Sequence, residues 1–142
     1  MLADDWLSLL QREQVDFTLA WRRLADAAEG DDIALKLLFQ TPEAPAAWLV
    51  RWRAACAVHD ARHGLDPAQR PASMRAASPF VIPRHHRVEA ALSAVSDNGD
   101  FAPFERLLQA LRRPFDETAA AAAFGEPAPA EATARYQTFC GT

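Results

Sequence analysis

The residues of this chain whose side chains could do chemistry fall in three places. In the segment CAVHDARH, Cys56, His59 and His63 are spaced so that a helix would place them on one side. The segment RHHR, residues 84–87, puts two imidazoles between two guanidiniums. A thiol, Cys140, stands third from the carboxyl end. These groups raise three possibilities, which are a metal site, an anion site and a reactive thiol.

The segment CAVHDARH carries the histidine spacing that zinc peptidases use on a helix. His59 and His63 are four residues apart, and Asp60 stands where those enzymes have a glutamate base. Such a site needs further ligands from elsewhere in the chain, and Cys56 is the only nearby candidate. The alternative is a helix with one buried thiol and two imidazoles at its surface. We predict no metal site and keep these three residues as the candidates for one.

The segment RHHR allows an anion site and a structural turn. Neighbouring residues on a helix point about 100° apart, so His85 and His86 cannot easily share one metal ion. Arg84 and Arg87, together with the exposed N–H groups of a helix start, could hold an anion. However, no glycine-rich phosphate loop precedes them. The prolines just before this segment favour a braced turn that leads into a helix.

Cys140 has two interpretations, and both stay open at this point. An exposed thiol could react or form a reversible disulfide, whereas a buried one would act as a small hydrophobic residue beside Phe139. The sequence has no Walker lysine, no G-x-G-x-x-G loop and no kinase-type catalytic or metal-binding motif. We therefore predict no catalytic residue in these 142 residues.

The composition indicates a globular, helical protein. Half of the residues are apolar, alanine and leucine predominate, and the net charge of −4 offers no basic surface for nucleic acid. The amino terminus lacks the basic residues of a signal peptide, and no apolar run is long enough to span a membrane. The two cysteines make no disulfide framework. We expect a cytoplasmic protein with no nucleic-acid or membrane partner.

Hydrophobic periodicity predicts an all-α fold, an irregular bundle of about six to seven helices. The bundle is expected over residues 1–124 and an extended tail rich in proline and alanine over 125–142. The helix IALKLLFQ follows an aspartate cap, and a longer helix runs from Pro45 to His63. The long helix should bury one stripe of residues, namely Trp48, Leu49, Trp52, Cys56 and His59.

Local signals predict where the helices begin and end. Asp16 should cap one helix, Gly64 should end the long helix, and Asn98-Gly99 should turn the chain. Asp116 is the expected cap of a last helix through the alanine run. Inward positions are predicted for three apolar residues of one helix, which are Val88, Leu92 and Val95. The next helix, capped by Asp100, carries the apolar residues Phe104, Leu107, Leu108 and Leu111.

Three sequence motifs resemble the carboxy-terminal region of the selenoprotein O family. They are SPFVIPRHHRVEAAL, GDFAPFERLLQALRRPF and the terminal YQTFCGT. Together with VDFTLAWRRLADA upstream, the resemblance covers about Val15 to Thr142. It implies a relationship to kinase-like protein adenylyltransferases, which transfer AMP from ATP to hydroxyl side chains with Mg²⁺ or Mn²⁺. The family's catalytic and nucleotide-binding positions lie in a kinase-like portion that precedes this region, so the resemblance assigns none of them here.

The resemblance assigns two kinds of residue. It implies a redox role for Cys140, which stands where some animal members have selenocysteine. The family-motif residues Pro79, Ile82, Pro83, Arg84 and His86 match, while Ser78 and His85 each replace an asparagine. These matching residues are expected to shape a turn.

We expect a helical portion of a protein adenylyltransferase without the catalytic part and with a structural or redox-regulatory role. Its partner would be a kinase-like portion, in the same chain or a separate one, or a second copy of itself. ATP and the metal are implied for the full-length family only, with no cofactor in these residues. One alternative is a stand-alone interaction module that associates through exposed tryptophans. Another is a small metalloprotein that uses Cys56, His59 and His63.

Overall fold

The computed structural model describes residues 1–129, which form eight α-helices and one short 3₁₀ helix. No strand occurs in this described part, so the all-α prediction is confirmed, with more helices than the six or seven expected. The helices are α1 Leu2–Arg12, α2 Phe17–Ala28, α3 Ile33–Lys36, α4 Ala46–His63, α5 Arg70–Ala77, α6 His85–Asn98, α7 Ala102–Leu111 and α8 Ala119–Gly125, with the 3₁₀ helix at Pro67–Gln69.

The chain divides into two compact units. The first unit is Met1–Phe80 and the second begins at Val81. The boundary between them therefore falls inside the SPFVIPRHHR segment. The predicted division into a helical region over 1–124 and a tail over 125–142 stays a prediction.

The start of α2 and the ends of α4 and α6 form where the predicted local signals place them. The Asp16 carboxylate accepts a hydrogen bond from the Leu19 N–H at 2.9 Å and so satisfies a donor that the first turn of α2 leaves unpaired. Gly64 and Gly99 follow α4 and α6 in the left-handed conformation, at φ 63° and 66°. Glycine adopts this conformation without steric cost, which explains why both helices end there.

The core of the first unit is built around stacked indole rings. Trp6 is fully buried and its ring stacks on that of Trp48, with ring centroids 4.2 Å apart. The Trp48 Nε1–H donates to the Leu2 carbonyl at 2.8 Å, which ties α4 to the start of α1. Trp21 and Trp52 are partly buried against the same cluster. The inward position predicted for Trp48 is therefore confirmed. Trp6 and Trp48 are not exposed, as the alternative of a stand-alone interaction module would require, because α1 and α4 bury them against each other.

A buried arginine connects α2 to the end of α5. Arg22 is only 4 % exposed, and its Nη1 donates to the carbonyls of Arg75 and Ser78 at 3.0 and 3.1 Å. The last carbonyls of a helix have no partner within the helix and carry partial negative charge. The guanidinium also lies over the Phe80 ring at 5.8 Å. Arg22 thus caps α5 from a neighbouring helix.

A second arginine makes the opposite connection, from α5 to α2. The Arg75 guanidinium binds the Asp26 carboxylate at 2.7 Å and the Glu29 carboxylate at 2.6 and 2.8 Å. These carboxylates raise the pKa of Arg75, while its guanidinium lowers the pKa of Glu29. Arg22 and Arg75, hereafter the arginine pair, therefore fix α2 and α5 together from both sides.

The second unit is built on α6, α7 and α8. The Val81 N–H donates to the Pro114 carbonyl at 3.0 Å and the Arg84 Nη2 donates to the Gly125 carbonyl at 3.1 Å. In α7 only Leu107 is buried, whereas Phe104 and Leu108 are exposed. The other described elements of the second unit leave that side of α7 uncovered.

Three further details differ from the sequence-based predictions. The helix expected over IALKLLFQ has only four residues, because turn bonds after Lys36 bring Phe39 into the core. Leu92 is exposed because the inward stripe of α6 follows Val88, Ala91 and Val95, with small Ala91 buried. The cap of α8 is Thr118, whose hydroxyl accepts from the Ala121 N–H, and not Asp116.

We predict that Arg22→Met destabilises the first unit by about 2–4 kcal/mol, because it leaves buried carbonyls without their donor. Native-state hydrogen exchange of the α2 and α5 amides measures this loss. Arg12→Met is the matched control, since Arg12 is exposed and pairs only with neighbouring Glu13. Equal protection in the two variants would contradict the capping role of Arg22.

Candidate functional site

The second half of α4 carries a half-buried thiol and a buried carboxylate. Cys56 is half-buried, and Asp60 is 6 % exposed. The predicted stripe through Trp48, Leu49, Trp52 and Cys56 continues at Asp60, one helical turn further on. The predicted place of His59 in this stripe is wrong, since its side chain is 55 % exposed.

Asp60 is buried because it has a partner that the sequence does not reveal. Arg70, the first residue of α5, forms an ion pair with the Asp60 carboxylate through its Nη2. The same nitrogen lies 3.5 Å from the Cys56 carbonyl. A buried carboxylate is stable only when it is paired and hydrogen-bonded. The sequence signal for the burial of Asp60 is its position on the inward stripe of α4. Its pairing with Arg70 could not be predicted, because it depends on the turn between α4 and α5.

A cavity of about 200 Å³ opens beside this ion pair, and Trp52, Cys56, Asp60 and Arg70 contribute to its wall. Burial raises the pKa of the Cys56 thiol, and the nearby Asp60 carboxylate raises it further, against the lowering effect of Arg70. Because the thiolate is the nucleophilic form, a raised pKa makes this thiol less reactive. The arrangement is suited to structural support and gives little basis for nucleophilic catalysis.

The three candidate metal ligands are not brought together. His59 and His63 lie one turn apart on the exposed side of α4, with ring centroids 4.6 Å apart. Cys56 belongs to the half-buried side and lines the cavity next to Arg70. Within residues 1–129, no three or more histidine, cysteine, aspartate or glutamate side chains are grouped to hold a metal ion.

The RHHR segment forms the start of α6, in agreement with the predicted turn that leads into a helix. Arg84 is the residue before the helix, and Arg87 lies 3.4 Å from the Glu126 carboxylate through Nη2. His86 is half-buried, and its Nδ1 has no hydrogen-bond partner. Burial lowers the pKa of His86, and the positive charges of Arg87 and Arg84 lower it further. The arginines here contact groups of the second unit, and their charges add to burial in disfavouring protonation of His86.

The prolines and Ile82 lie in the non-helical stretch between α5 and α6. Residues 78–84 contain no helix, as expected for residues that precede Pro79 and Pro83. The Arg84 N–H donates to the Ile82 carbonyl at 2.8 Å, which tightens the chain before α6. The roles that the resemblance gives to Pro79, Ile82, Pro83, Arg84 and His86 stay predictions.

The remaining sequence-based candidates give no further site. Cys140 lies outside the described residues. Gly30, Gly64 and Gly99 follow helix ends in the positive-φ region, so these glycines form helix terminations and no phosphate loop. Among the helices of residues 1–129, none combines the length and the apolar character needed to cross a membrane.

Comparison with known proteins gives long matches to one kind of protein. The chain is 48 % identical over 141 residues to the protein nucleotidyltransferase YdiU of Chromobacterium violaceum. It is 48 % identical over 141 residues to that of Cereibacter sphaeroides and 42 % identical over 142 residues to that of a Bradyrhizobium strain. Each match covers 99 % of the chain but only 27–29 % of the relative. No established family profile matches the chain.

We predict that His86 makes the stability of the second unit depend on pH. Its pKa is lowered in the folded state, so folding disfavours protonation. Stability should be full above the unfolded value of about 6.5 and should fall as the pH is lowered below it. The measurement is hydrogen exchange of the α6 amides between neutral and mildly acidic pH.

His86→Gln removes the titrating group and should flatten this dependence. His85→Gln is the matched control, because His85 is the exposed neighbour on the same helix turn. If both variants keep the wild-type slope, His86 is not the group responsible.

Proposed function

We propose, from the premise that the chain is a segment of the YdiU family of protein nucleotidyltransferases, that it supports catalysis without performing it. The chain matches these proteins at 42–48 % identity over 99 % of its length and spans 27–29 % of theirs. This match is the observation that carries the proposal. The reaction of the complete protein would be the transfer of AMP from ATP to hydroxyl side chains of proteins, with Mg²⁺ or Mn²⁺, in the cytoplasm.

The chemistry of the described residues supports a structural role for the segment. The buried carboxylate Asp60 pairs with Arg70, and the guanidinium of Arg22 caps α5. Cys56 has a raised pKa. Transfer of a nucleotidyl group needs a phosphate cradle and metal-binding carboxylates, and the sequence of these 142 residues contains neither motif. The partner that supplies them would be a kinase-like portion, in the same polypeptide or in a separate one.

A second candidate function is a stand-alone interaction module, which one observation favours. The second unit exposes Phe101, Phe104, Leu108 and Phe115 along α7 and the turn after it. Large exposed apolar groups at helical spacing are typical of surfaces that other proteins cover. Under this alternative the segment would act by association alone, and it would not restore nucleotidyl transfer to a relative.

The test is a chimera of the Chromobacterium violaceum relative in which this chain replaces the matching segment. We expect transfer of label from ATP labelled at the α-phosphate to protein by the chimera and none by the 142-residue chain alone. A chimera that carries Arg22→Met should be less active, because the fold of the first unit is weakened.

Two outcomes would contradict the proposal. Robust transfer by the 142-residue chain alone would show that it contains catalytic machinery. An inactive chimera with normal helix content and a normal elution volume would show that the chain does not serve as the matching segment, and would favour the interaction module.

We propose further that Cys140 is the redox-active thiol. On treatment with hydrogen peroxide, two Cys140 thiols would be oxidised to one disulfide, and peroxide would be reduced to water. Cys140 should lose its reactivity with iodoacetamide first, because the raised pKa of Cys56 keeps that thiol protonated. Peptide mass spectrometry measures both sites, and Cys56→Ser and Cys140→Ser are the paired controls. Loss of both thiols at one rate would contradict this assignment.

A further inference from the structure

The last turns of α4 present two imidazoles that the proposed function does not use. His59 and His63 both lie on the exposed side of the helix, and their ring centroids are 4.6 Å apart. The helix continues through both residues and ends at Gly64. The backbone therefore holds the two side chains one turn apart, and each can reach solvent.

The separation of the two rings suits two ligands of one metal ion. Zinc binds imidazole nitrogen at about 2.0–2.1 Å, so two imidazoles on one ion have ring centres roughly 4.5 Å apart at a right angle and roughly 5.2 Å apart at the tetrahedral angle. The observed 4.6 Å falls in this range. The two rings are tilted by 44° to each other, and side-chain rotation would direct one nitrogen of each toward a shared ion.

The neighbouring carboxylate places a negative charge near one of the two imidazoles. The Asp60 Oδ1 lies 3.7 Å from the His59 Nδ1, too far for a hydrogen bond. Arg70 holds the Asp60 carboxylate in place and pairs with its charge. The carboxylate therefore adds only a small electrostatic attraction for a cation beside His59.

The surroundings leave room for water to complete the coordination. His59 and His63 line an open surface depression of α4, together with Ala54, Val58 and Arg62 among others. The positive charge of Arg62 opposes binding of a cation, and the negative charge of Asp60 partly offsets it. Imidazole ligands select zinc, nickel and copper ions over magnesium and calcium, which prefer oxygen.

We propose that His59 and His63 form a two-histidine site for a divalent transition-metal ion, with water in the remaining positions. The ion joins the last two turns of α4 and stabilises the folded chain by mass action. This inference is independent of the proposed function, since it concerns only the exposed side of α4.

The experiment is calorimetric titration of the full chain with Ni²⁺ and Zn²⁺ at neutral pH, with Mg²⁺ as the oxygen-preferring comparison. We expect one Ni²⁺ or Zn²⁺ ion per chain and no binding of Mg²⁺. His59→Ala and His63→Ala should each weaken binding on the order of a hundredfold, because the second ligand no longer acts at high effective concentration. Arg62→Gln should tighten binding, because a positive charge is removed.

His85→Ala is the matched control, since it removes an exposed histidine from α6 and should leave the affinity unchanged. Both α4 variants change exposed side chains, and far-UV circular dichroism will show that they keep the fold. Equal affinity in wild type and the two α4 variants would overturn the proposal. One ion bound per two chains would also overturn it, because the site would then require two copies.

Discussion

The arginine pair is the constraint on which the first unit depends. Arg22 supplies donors to the end of α5, while Arg75 on α5 binds the two carboxylates of α2. Each guanidinium satisfies groups on the other helix, so neither helix could shift without leaving charges or carbonyls unpaired in a partly buried place. With α2 and α5 fixed, the Phe80 ring lies in a defined position beside Arg22.

Local chemistry explains which parts of the fold the sequence could predict. Asp16, Gly64 and Gly99 act within a few residues of themselves, and the helix ends they predict are confirmed. Side-chain orientations that depend on partners distant in sequence are harder to predict. The helical spacing predicts that His59 points inward, whereas Asp60 is the buried residue, because its pairing with Arg70 arises only when the chain folds back.

The candidate sites show the same difference between local and distant interactions. The sequence identifies the thiols, imidazoles and guanidiniums that could do chemistry, but only the structure shows which of them form ion pairs and hydrogen bonds. Cys56, Asp60 and Arg70 form one partly buried group, whereas the two histidines of α4 remain at the surface. The family could be suspected from sequence motifs because they are long and ordered, and the matches to the YdiU proteins support it.

The placement of the indole rings has an optical consequence. All four tryptophans of the chain lie in the first unit, and the rings of Trp6 and Trp48 stack at a centroid distance of 4.2 Å. Tryptophan emission therefore originates in the first unit alone. Two indoles at so short a distance also couple their electronic transitions, and this coupling is lost when α1 and α4 separate. The four tryptophans thus form an intrinsic probe of the first unit that needs no label.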